Sequence, residues 1–140
     1  MATSAQFASI PNVETAQVST ANTNRDGTGT CALICSGPST AAGSGVGKRL
    51  TRVTLARAGT ASATVITFFV SYDGGTTKRL IAEAPMPSYT SSTTTAQSTV
   101  LVPELVGMVL PGSTGGQAVQ LYAATTVATT INIHIESAAL

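Results

Sequence analysis

Charge is what this chain has least of. Only 9% of its 140 residues are charged, seven Lys+Arg against six Asp+Glu, which leaves a formal net charge of +1. Nucleic-acid binding draws on a surplus of Lys and Arg that displaces counterions from phosphates, so a nucleic-acid partner is not expected. Helical bundles and coiled coils want Glu, Lys, Leu and Arg in quantity, and these are scarce. Disorder goes with low hydrophobicity and high net charge, whereas 43% of this chain is hydrophobic. Tryptophan is absent and there are only three Phe and three Tyr, thin material for an aromatic platform that stacks on sugars. No run approaches the roughly 20 apolar residues of a membrane span. The first six residues, Met1 to Gln6, have neither the basic start nor the apolar stretch of a secretory signal. The expectation is synthesis in a cytoplasm and no membrane partner.

Reactive groups are equally sparse. The two cysteines, Cys31 and Cys35, lie four apart in a segment that reads as a strand. Four strand residues span roughly 13 Å, and a disulfide needs Cα atoms within about 7 Å. They are therefore expected as free, buried thiols. The single histidine, His134, stands far from them along the chain, so no metal-ligand set is legible. Gly43-Ser44-Gly45-Val46-Gly47-Lys48-Arg49 has the look of a phosphate-binding loop, but Ala42 stands at the first required Gly and Arg49 at the Ser/Thr that would hold Mg²⁺. His134 and Glu136 fall on one face of a strand, yet no serine lies in a nucleophile elbow. Asp26 and Asp73 fit turns, which leaves few carboxylates for acid–base work. No catalytic site, cofactor or metal is predicted.

What the chain does have is hydroxyls and β-branched residues: 24 Thr and 14 Ser, with 13 Gly and 6 Pro. That bias predicts sheets joined by tight turns. Residues 1–13 read as an extended N-terminal arm with Phe7 and Ile10 as anchors, and 14–140 as one β-sandwich domain. Strands are expected near 14–20, 31–35, 49–56, 63–72, 78–84, 96–102, 118–124 and 129–136, with Pro85 and Pro87 stopping the fifth. Asp73-Gly74-Gly75-Thr76 is a hairpin turn. The last strand is the clearest, Ile131, Ile133 and Ile135 alternating with Asn132, His134 and Glu136. About eight short strands without a helical period predict an all-β, two-sheet antiparallel sandwich of jelly-roll or Ig-like type. Lys48, Arg49, Arg52 and Arg57 cluster in the third strand. Strict alternation would put Arg49 and Arg57 on one face and Arg52 on the other.

The run Leu50-Thr51-Arg52-Val53-Thr54-Leu55, the hairpin from Val70 to Glu83 and the turn Val109-Leu110-Pro111-Gly112 resemble small structural proteins of tailed bacteriophages, among them head decoration (cement) proteins. The likeness covers roughly residues 48–136. It implies a Thr/Ala/Ser-rich β-sandwich without enzymatic activity, made in the host bacterial cytoplasm and carried on the virion surface. Its partners would be the major capsid protein and further copies of itself, as a homotrimer. The contact surface expected on this basis is the arm at Phe7 and Ile10, the loop at Gly43–Gly47 and the basic edge at Lys48, Arg49 and Arg52. Three rivals have their own marks. A head-fibre base or a tail or baseplate part would be present in few copies. A carbohydrate-binding module would gather Tyr72, Tyr89 and Tyr122 on one concave face. An enzyme would need His134 pocketed with an acid and a serine.

Overall fold

Isoleucine at every second position makes the last strand the spine of one sheet. Ile131, Ile133 and Ile135 are fully buried, while Asn132, His134 and Glu136 between them face outward. The computed structural model describes residues 10–38, 47–97, 99–112 and 118–140. These form β1 (Ile10–Val18), β2 (Ala32–Ser36), β3 (Gly47–Arg57), β4 (Thr64–Ser71), β5 (Arg79–Met86), β6 (Val100–Leu101), β7 (Val109–Pro111), β8 (Gln120–Thr125) and β9 (Ile131–Ala139). Sheet A runs β1-β9-β3, with β6 and β7 both on the far side of β3; sheet B runs β2-β8-β4-β5. Every strand pair is antiparallel.

The chain alternates between sheets: β1 in A, β2 in B, β3 in A, β4 and β5 in B, β6 and β7 in A, β8 in B, β9 in A. A single 3₁₀ turn, Pro103–Leu105, separates β6 from β7, so the two behave as one interrupted strand. This is the jelly-roll branch of the two-sheet sandwich. Leu50, Val53 and Leu55 of β3 and the β9 isoleucines meet Ile66, Phe68 and Leu121 of sheet B, all fully buried. Each such side chain contributes about 1.5–3 kcal/mol on leaving water.

Three departures from simple alternation shape the molecule. The first four β1 residues, Ile10 to Val13, continue the pairing with β9 back to Ala139, so the strand begins inside the segment read as an arm. Phe7 lies outside the described residues. Pro85 sits within β5 opposite Val65 instead of ending it. It does so because β5 is an edge strand, where a missing donor that faces away from the ladder is harmless; the strand stops before Pro87. The third departure is a bulge in β3 between Leu50 and Arg52, which resets the side-chain period. Lys48 and Leu50 face inward before it, and Val53, Leu55 and Arg57 after it.

Arg57 consequently points between the sheets, 4% exposed, and not onto the face it would share with Arg49 under strict alternation. Its guanidinium crosses to the end of β5. Nη2 donates to the carbonyls of Met86 (3.0 Å) and Pro87 (2.7 Å), and Nε to Pro87 (3.1 Å). Gln97 closes the same end: its Oε1 accepts from the Arg57 amide and its Nε2 donates to the Arg57 carbonyl, both at 2.7 Å. Arg57→Ala leaves both strand-end carbonyls without donors and opens a void. We expect it to lower stability by about 2–4 kcal/mol, read as a fall in the urea midpoint; an unchanged midpoint would contradict this strut. Arg57→Lys should restore only part, because an ammonium lacks the planar fork that spans both acceptors.

Candidate functional site

The two sheets treat their outer faces differently. On sheet B, Phe69 and Thr67 point away from the core, yet they are 0% and 1% exposed. The connection from β1 to β2 is tied across this face. Asn22 donates its amide to the Thr125 carbonyl (2.8 Å) and its Nδ2 to the carbonyls of Thr28 and Thr30. Arg25 Nε pairs with Glu83 Oε1 at 2.6 Å on the outer side of β5. Gly27, at φ +87°, presses against the Lys78 backbone where a Cβ would collide. Asp26 is held in this loop as the Asp-Gly signal predicts, accepting from the Thr28 amide and hydroxyl.

Sheet A has no such cover among the described residues. Its register lays the outer side chains out in rows across β1, β9 and β3, extended by β7 and β6. Pro11, Ala138, Arg49 and Val109 form the first row, and Val13, Glu136 and Arg52 the second. Thr15, His134, Thr54 and Leu101 follow, then Gln17, Asn132 and Ala56. The β3 bulge is what brings Arg49 and Arg52 onto one face. Glu136 Oε1 lies 3.8 Å from Arg52 Nη1 and 3.3 Å from His134 Nε2. Arg49 is exposed and makes no ion pair with a described residue. Val13 (58%), Leu101 (59%) and Val109 (43%) stand exposed around these charges. An open groove of about 580 Å³ crosses the lower rows, lined by Thr15, Gln17, Thr54, Ala56, Asn132 and His134.

Of the expected contact residues, Arg49 and Arg52 thus lie together on the bare face, and Ile10 is exposed at the start of β1. Lys48 is corrected. It turns inward and its Nζ pairs with Glu14 Oε1 at 2.6 Å, 3.8 Å from Cys35 Sγ. Residues 43–46 of the glycine-rich loop lie outside the described residues, and Gly47 opens a strand where a phosphate loop would open a helix. The value of Val13, Leu101 and Val109 escaped the sequence reading. Only the pairing register reveals them as neighbours of the arginines.

The cysteines are unbridged, Cys35 buried and Cys31 half-buried just before β2. Burial, helped by the Glu14 carboxylate, pushes the Cys35 thiol up to about 12; burial also raises Cys31. Against an ordinary thiol at 9.0, Cys35 should alkylate on the order of a thousandfold more slowly at pH 8 than in the unfolded chain. Mass spectrometry after iodoacetamide pulses checks this, and comparable rates would contradict the burial. The unfolded thiol ionises first, so this group removes stability as pH rises from 9 towards 12 and contributes nothing below 9.

The tyrosines do not converge. Tyr89 bridges to Ala61 before β4 begins, while Tyr72 follows its end, and eight strand residues span about 27 Å. Tyr122 packs under Lys78, whose Nζ is 5.1 Å from the ring centre. His134 has Glu136 beside it, but the outer-face rows contain Thr15 and Thr54 as their hydroxyls and no serine. The chain matches no protein-family model, no curated protein and no solved structure.

Proposed function

We propose that this protein is a non-enzymatic structural component of a bacteriophage virion, a capsid decoration (cement) protein that binds the outer surface of the major capsid lattice through the outer face of sheet A. The observation that carries the reading is the asymmetry between the faces. One sheet has the centre of its outer face, Thr67 and Phe69, buried, with the protein's own β1–β2 loop tied across it, and the other presents Arg49 and Arg52 among Val13, Leu101 and Val109. Arginine and apolar side chains are what protein interfaces enrich, while lysine is depleted from them; the nearby lysine, Lys48, is turned inward. A jelly roll alone selects no function, since capsid proteins and lectins share it. The resemblance of residues 48–136 to phage structural proteins supplies the lattice as partner. Many identical modest contacts hold firmly once copies are tethered to one surface.

Quantitative mass spectrometry of purified particles tests the proposal. A copy number that scales with the major capsid protein is expected. Absence from the particle overturns the proposal, and a handful of copies would move the protein to a tail, baseplate or head-fibre position.

A further inference from the structure

Sheet edges are where β proteins meet other chains, because an outermost strand has backbone donors and acceptors with no neighbour. Among the described residues, three of the four sheet edges are blunted. β6 and β7 span two and three residues, and β7 ends in Pro111. β2 has five residues and an irregularity between Leu33 and Cys35. β5 carries Arg79, Glu83 and Pro85, with its own register shift. β1 is unlike them: nine residues in unbroken register with β9, whose one charge, Glu14, turns inward to Lys48.

Pro11 shows which backbone groups β1 offers. A proline in an edge strand sits with its nitrogen turned away from the neighbouring strand. By the period of two, Val13, Thr15 and Gln17 direct their N–H and C=O groups outward as well, and the even residues bond β9. The Val13 amide agrees, donating to Asn12 Oδ1 at 2.9 Å. Thr15 and Gln17 carry the remaining outward amides, and no described backbone carbonyl outside the ladder accepts from them.

We infer that β1 is a self-pairing edge, joining two copies antiparallel, β1 to β1, about a two-fold axis through Thr15. In that register each Thr15 amide donates to the Thr15 carbonyl of the other copy, and each Gln17 amide meets a Val13 carbonyl. A second copy is the occupant because an identical strand keeps the unbroken register from end to end and brings no free charge to the seam. Both threonine side chains lie on the outer face, a favourable cross-strand pair. No like charges meet at the seam, since Glu14 is already paired. The two sheets A become one continuous sheet with one continuous outer face. Such an isologous contact closes on itself and leaves no third place, unlike the trimer that the family resemblance implies. It holds whatever partner the outer face meets.

Sedimentation velocity of the full chain over a concentration series tests this, with Thr15→Lys and Thr15→Pro beside the wild type. Thr15 is exposed, so lysine is accommodated in the monomer but sets two ammonium groups face to face in the pair. Proline removes the outward N–H as Pro11 already does. We expect a wild-type mass that doubles with concentration, and association at least about tenfold weaker in both variants, with the wild-type circular dichroism kept. Thr15→Lys decides alone if Thr15→Pro melts early. A wild type that stays monomeric, a trimer, or a dimer that persists in Thr15→Lys would overturn the inference.

Discussion

Ile133→Asp is expected to abolish the native fold. Ile133 is fully buried in β9, opposite Ala16 on one side and Leu55 on the other, and β9 is the only link between β1 and β3 in the described sheet. A carboxylate there has no cation to meet: the Arg57 guanidinium is taken up at the β5 end, and Lys48 by Glu14. Neutralising the group by protonation still buries a polar side chain in place of an isoleucine. The combined loss is several kcal/mol, a large share of the 5–15 kcal/mol that holds a typical domain together. Circular dichroism should show no cooperative melt. Asn132→Asp, one residue away on the wet face, should stay within about 0.5 kcal/mol of wild type. A soluble, cooperatively melting Ile133→Asp would contradict the assignment of β9 as the spine.

The second large effect concerns attachment. Arg49→Glu with Arg52→Glu is expected to leave the melting temperature nearly unchanged, because both side chains are exposed and Arg52 is only loosely paired with Glu136, at 3.8 Å. Binding should suffer far more. Truncating one partner of a desolvated charge pair at an interface loses about 2–5 kcal/mol, and reversal adds repulsion, so affinity should fall at least about a hundredfold. Co-sedimentation of the variant with capsid shells lacking the protein measures this. Retained binding would remove Arg49 and Arg52 from the contact.

The sheet scaffold was readable because burial writes a period into the residues. The Ile131–Ile135 alternation specifies β9, and the Asp26 and Asp73 turns fall where Asp-Gly predicts, Asp73 accepting from the Thr77 amide and the Ser71 hydroxyl at 2.8 Å each. Those donors draw the Asp73 carboxyl down to about 2. What alternation could not foresee is the β3 bulge. One inserted residue exchanged the roles of the basic cluster, bringing Arg49 and Arg52 onto one face and sending Arg57 inside. Pro85 misled for a related reason: its meaning depends on whether the strand is at an edge, which only the pairing order decides. The bare and covered faces were likewise hidden, since nothing local in residues 22–31 announces that they fold over Phe69.

Electron cryomicroscopy of the intact particle puts the face assignment to its most direct test. Density for a jelly roll should sit on the capsid shell with the rows of Arg49, Arg52 and Val13 turned towards it and the loop over Phe69 turned to solvent. A sandwich lying on sheet B, or a shell without this protein on its surface, would contradict the account.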